Sequence, residues 1–134
     1  MSKEKILIIK AGYSEFLDKV NDSRRSSLGD VLRTTPILHL FKDDYVTWVT
    51  DSEAIPLLKD NLFIYRLMAL DFLTLQQLEH EYFDTVINLE KIPGICALMK
   101  KIEAWKKFGF RLDPRTGEVK PHDKAFEALV VSSD

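Results

Sequence analysis

The run Ile6-Leu7-Ile8-Ile9 constrains this chain more than any other stretch. A strand with one face in water alternates apolar and polar residues. An unbroken β-branched and aliphatic run instead reads as a strand covered on both faces, the pattern of a central strand in a parallel sheet. A strand over 5–10 therefore predicts α/β architecture with helices on either side. Further along, Tyr45-Val46-Thr47-Trp48-Val49-Thr50 follows the polar turn Lys42-Asp43-Asp44 and reads as a second strand, rich in β-branched and aromatic types. Residues 64–70 read as a third, Phe83-Asp84-Thr85-Val86-Ile87-Asn88-Leu89 as a fourth and 105–112 as a fifth.

Helical patterns fill the intervals. One runs from Ser26 to about Phe41 with Pro36 inside it. That proline removes the N–H that would bond the Leu32 carbonyl, predicting a kink there with the Thr34 or Thr35 hydroxyl satisfying the freed group. A second helix begins at Asp51 or Ser52 and ends near Asn61, and a third spans 72–80 with Asp71 as its cap. Pro93 suits the first turn of a fourth, which carries Ile95, Ala97, Leu98 and Ile102. Asp113-Pro114-Arg115-Thr116-Gly117 is a turn, and a last helix is expected over 122–131. Repeated strand-helix units imply right-handed crossovers and a Rossmann-like, doubly wound, mostly parallel sheet. In the order 3-2-1-4-5, strands one and four adjoin where the winding reverses, and a ligand crevice opens at their carboxyl ends. Lys10, the Ser27-Leu28-Gly29-Asp30 loop, Asn88, Glu90 and Lys91 would converge there.

With 134 residues and 46% apolar content the chain suits one domain, over 1–134. A formal charge of −2 gives no field favouring nucleic acid, and no nucleic-acid partner is expected. Cys96, the sole cysteine, has no disulfide partner in the chain and suits a small core position in a reducing compartment. Neither a metal site nor a cofactor is expected. The short apolar run near the N-terminus, interrupted by Lys10, does not make a signal peptide or a membrane span, so a cytoplasmic location is expected.

The segment Lys10-Ala11-Gly12-Tyr13-Ser14-Glu15 lacks the three spaced glycines of a dinucleotide site, and no P-loop is present. Ser27-Leu28-Gly29-Asp30 reads in two ways. As a variant capping box, the Ser27 hydroxyl and the Asp30 carboxylate satisfy helix N-terminal N–H groups. As a site, Gly29 admits a ligand to the backbone and Asp30 accepts a proton from a substrate hydroxyl. The two readings are compatible. Glu90 could face Asp30 across the crevice, although a solvated loop glutamate paired with Lys91 is the plainer reading. Arg24 and Arg25 suit either an acidic acceptor or an ordinary surface loop. His39 and His80 read as packing or surface residues, Trp48 and Trp105 as core, and His122 as the entry to the last helix.

Together, Ile6-Leu7-Ile8-Ile9-Lys10, Ser26-Ser27-Leu28-Gly29-Asp30-Val31-Leu32-Arg33-Thr34-Thr35-Pro36, Val46-Thr47-Trp48-Val49-Thr50 and the fourth strand resemble the N-terminal half of ADP-heptose:lipopolysaccharide heptosyltransferases, glycosyltransferase family 9. The resemblance covers most of 5–112. It implies a GT-B pair of Rossmann-like domains, in which the N-terminal one takes the sugar acceptor and the C-terminal one most of the nucleotide-sugar. It assigns the catalytic base to Asp30, with substrate contacts around Lys10, Ser27, Leu28, Gly29, Asn88 and Glu90. The implied partners are a nucleotide-sugar donor and a glycan or lipid-linked acceptor, which allows peripheral membrane association in lipopolysaccharide biosynthesis. In that family a residue or two joins the first strand to the Ser-Leu-Gly-Asp segment, whereas residues 11–25 intervene here. The donor-binding domain is expected to lie outside this chain, which would then be inactive alone. A non-catalytic Rossmann-like binding module is the alternative.

Overall fold

The structure, a computed structural model, describes residues 3–12 and 28–121, apart from the side chains of Leu28 and Asp30. Strand β1 (Lys5–Ile9) lies in the middle of the sheet, and Ile6, Leu7, Ile8 and Ile9 are all fully buried. Ile6 and Ile8 join one core with Val31, Leu38, Val46 and Trp48, while Leu7 and Ile9 join a second with Leu78, Val86, Leu98 and Met99. Each such side chain removed from water stabilises the fold by about 1.5–3 kcal/mol. Two cores on opposite faces are what an unbroken apolar strand requires.

Among the described residues six strands form one sheet in the order β3-β2-β1-β4-β5-β6. Strands β2 (Tyr45–Thr50) and β4 (Tyr82–Asn88) flank β1 in parallel, with Ile8 opposite both Trp48 and Ile87. Strand β3 (Arg66–Ala69) adds parallel to β2, and β5 (Glu103–Leu112) adds parallel to β4. The expected doubly wound order therefore holds. Its extension, the short antiparallel strand β6 (Val119–Pro121), was not anticipated. It returns through the 113–117 turn, closed by Gly117 N–H bonding the Asp113 carbonyl at 2.8 Å, with Gly117 at φ 72°.

Helix α1 (Leu28–Thr34) does not continue as one helix, because it changes at Pro36 into a 3-10 segment over Thr35–Phe41. The Thr35 hydroxyl donates to the Leu32 carbonyl at 2.7 Å, supplying the bond that Pro36 cannot, and the Thr34 hydroxyl donates to Val31. The expected kink thus takes the form of a tighter helix. A 3-10 turn over Ser52–Ala54 leads into α2 (Ile55–Leu58), which is shorter than expected. Asn61 lies beyond its end and bonds the Phe63 N–H instead. Helix α3 (Phe72–Leu78) is capped as expected, the Asp71 carboxylate accepting from Thr74 N–H at 2.8 Å. Helix α4 (Pro93–Leu98) starts on Pro93 and stops four residues short of the buried Ile102.

Trp105 corrects a prediction. It was expected in the core and is 77% exposed, whereas Trp48 is fully buried. The difference is position in the sheet, since Trp48 lies on β2 between two neighbours while β6 pairs only with Phe110, Arg111 and Leu112 of β5. His39 packs edge-on against Phe63, with ring centroids 5.2 Å apart. Residues 122–131, where a last helix was expected, lie outside the described residues, as do Arg24, Arg25 and most of the 11–25 segment.

Candidate functional site

The carboxyl ends of β1 and β4 meet at the point where the winding reverses, and the residues that leave them build the site. Strand β1 runs into Lys10, whose N–H still bonds the Val49 carbonyl of β2 at 3.0 Å, and then into Ala11 and Gly12. Gly12 adopts φ 88°, a left-handed conformation that disfavours residues with a Cβ. Strand β4 ends at Asn88, and the Leu89 N–H returns to the Ile9 carbonyl at 2.9 Å, so the two exits stay tied.

Glu90 was read either as a crevice residue or as a solvated loop glutamate, and the structure overturns the solvated reading. It is 3% exposed, and its carboxylate accepts the Gly12 N–H at 2.9 Å, with the Lys10 ammonium 3.8 Å away. Burial of a carboxylate needs donors to replace water, and the exit of β1 supplies them. Lys91 stands over the Phe110 ring, 5.2 Å from its centre.

Asn88 is fully buried. Its side-chain oxygen accepts from Glu90 N–H at 2.9 Å, and its NH₂ donates to the Phe110 carbonyl at 2.9 Å, the Glu90 carbonyl at 3.1 Å and Cys96 Sγ at 3.5 Å. Cys96 Sγ in turn donates to the Glu90 carbonyl at 3.2 Å. Burial pushes the Cys96 thiol above its ordinary value, against the opposing effect of the Asn88 hydrogen bond. The cysteine is therefore a neutral part of the scaffold, in accord with its expected core role. In this arrangement Asn88 shapes the loop from beneath.

Gly109 is a residue that sequence reasoning missed. It pairs with Asn88 across β4 and β5 at φ 104°, and a Cβ there would lie 2.0 Å from the Asn88 carbonyl oxygen. Only glycine lets β5 pass so close to the end of β4 and bring the Phe110 carbonyl to the Asn88 amide. An isolated glycine inside a strand pattern was the available signal.

Helix α1 is anchored through the fully buried Val31, packed in the core of Ile6 and Ile8. Asp30 lies in its first turn. Gly29 is exposed, and a Cβ there would meet nothing within 4 Å, so packing does not demand glycine and the backbone is open to approach. Ser27 lies outside the described residues, as do the side chains of Leu28 and Asp30, and with them the proposed capping box. Among the described site residues, the structure thus brings Lys10, Asn88 and Glu90 together.

Among solved structures, the chain is similar to a glycosyl transferase of family 9 from Veillonella parvula DSM 2008, with a TM-score of 0.60 and 22% identity over 79% of this chain and 31% of that one. It is also similar to E. coli heptosyltransferase WaaC, solved with ADP, with a TM-score of 0.57 and 16% identity over 96% of this chain and 47% of that one. The mostly parallel α/β fold matches part of each of these glycosyltransferases. The chain spans about a third to a half of the length of these two structures. No protein-family model and no curated protein matches the sequence. Among the described residues, no helix is long and apolar enough to cross a membrane.

Proposed function

We propose that this chain is the acceptor-side domain of a heptosyltransferase-like glycosyltransferase, with Asp30 as general base. The observation that carries this reading is a fold similar to that of two glycosyltransferases, with Asp30 in the first turn of α1, the first described helix after β1. Open α/β sheets bind ligands at the carboxyl ends of their strands, where the winding reverses. The Asp30 carboxylate takes the proton of an acceptor hydroxyl while that oxygen attacks the anomeric carbon of a nucleotide-sugar. The new glycosidic bond forms as the bond to the diphosphate breaks. The nucleoside diphosphate leaves with the electron pair, and the anomeric centre inverts. The acceptor is a glycan or lipid-linked sugar, reached in the cytoplasm and consistent with lipopolysaccharide assembly at a membrane surface. Donor-side residues come from a second α/β half outside these 134 residues.

The test is Asp30→Asn in the full-length protein, assayed for transfer from nucleotide-sugars. Asn keeps nearly the same shape and a capping oxygen but removes the base. Turnover should fall at least about a hundredfold. A variant that turns over within about twofold of wild type and loses only ~1 kcal/mol of stability would reduce Asp30 to a helix cap.

A further inference from the structure

We propose that Glu90 is a positioning residue of this crevice, a latch that fixes the exit of β1 over Lys10 to Gly12. The inference rests on the transferase reading for its catalytic consequence and on geometry alone for the latch. The Glu90 backbone is held from beneath, because its N–H donates to Asn88 Oδ1 and its carbonyl receives both the Asn88 amide and the Cys96 thiol. With that backbone pinned, its side chain is directed away from the solvent that a loop glutamate would normally seek. It crosses instead to the exit of β1, where one carboxylate oxygen takes the Gly12 N–H at 2.9 Å and lies 3.8 Å from the Lys10 ammonium.

Two features make this contact more than local packing. It joins residues 78 apart in sequence, after the sheet hydrogen bonds of β1 and β4 have ended, so it carries the coupling of the two strands one step beyond the ladder. It also falls on Gly12, which sits at φ 88°. A glycine in that conformation has many alternatives of similar energy, and a charge-assisted hydrogen bond to its N–H selects one of them. The exit of β1 is thus held on one side by Asp51 N–H, which donates to the Ala11 carbonyl at 3.2 Å, and one residue later by Glu90 on β4's loop. Residues that line a substrate crevice tolerate little misplacement, and a shift of about 1 Å can cost on the order of a hundredfold in rate.

The experiment compares Glu90→Ala and Glu90→Gln in the full-length protein by residue-resolved amide hydrogen exchange and by sugar-transfer kinetics. In Glu90→Ala, exchange at Gly12 should accelerate at least about tenfold while the β1 amides paired with β2 and β4 keep their protection. The value of kcat should fall roughly ten- to hundredfold with little change in donor KM. Glu90→Gln keeps a neutral acceptor for the Gly12 N–H and should recover most of both losses. Unchanged Gly12 exchange in Glu90→Ala overturns the latch. So does acceleration spread evenly over the sheet, which would mark Glu90 as a general stabilising residue. If the wild type transfers no sugar from any nucleotide-sugar offered, the transferase reading fails, while the exchange measurement still decides the latch.

Discussion

The two ends of the sheet use polar residues in opposite ways. At the carboxyl end, Asn88, Glu90 and Cys96 are buried and bond to one another and to the backbone of Gly12 and Phe110. At the amino end the polar groups stay partly in water. Arg66 forks onto Glu81 at 2.8 and 3.2 Å and reaches Thr47 through Nε, Lys5 lies 3.5 Å from Glu81, and Tyr45 and Tyr65 meet edge to face nearby. The amino end is stitched by ion pairs that solvent can replace, whereas the carboxyl end depends on bonds that nothing replaces once a partner is removed. A binding crevice needs the second kind of construction, since its loops must hold one shape without a ladder to support them.

Three substitutions probe that contrast, in falling order of effect. Gly109→Ala would set a Cβ against the Asn88 carbonyl in a left-handed conformation, and should cost ~3 kcal/mol or more, read as a drop in the denaturant midpoint. Asn88→Ala leaves the Glu90 N–H and the Phe110 carbonyl without their amide partner, and should cost about 2–3 kcal/mol by the same measurement. A loss below ~0.5 kcal/mol would mean that water substitutes at the carboxyl end as it does at the other.

Glu81→Gln at the amino end should cost less than ~1 kcal/mol, and less still in high salt. Its pH signature has a definite sign. The Arg66 hydrogen bonds hold the Glu81 carboxyl below its ordinary value, outweighing the opposite effect of its partial burial. A depressed folded-state value stabilises the protein above the ordinary carboxylate range, and that contribution disappears as pH falls through the folded value. Acid titrations of wild type and Glu81→Gln should therefore differ near neutrality and converge at low pH. Curves that stay parallel would remove Glu81 from the acid response.

The sequence by itself determined much of the framework. Ile6 to Ile9 required a strand covered on both faces, the strand-helix repeats implied the doubly wound order, Asp71 and Pro93 marked helix starts, and Thr34 or Thr35 was legible as the group that offsets Pro36. These features are local, because periodicity, capping and proline chemistry act within a few residues. Trp105 and Glu90 were misread for the opposite reason. A tryptophan's burial depends on which strand ends up at the sheet edge, and a glutamate's on which backbone N–H groups the fold carries to it. The need for glycine at 109 likewise exists only because β5 crosses the Asn88 carbonyl. Tertiary structure alone decided these, since pairing across 78 residues leaves no periodic trace in the chain, and it turned a loop carboxylate inward to the exit of β1.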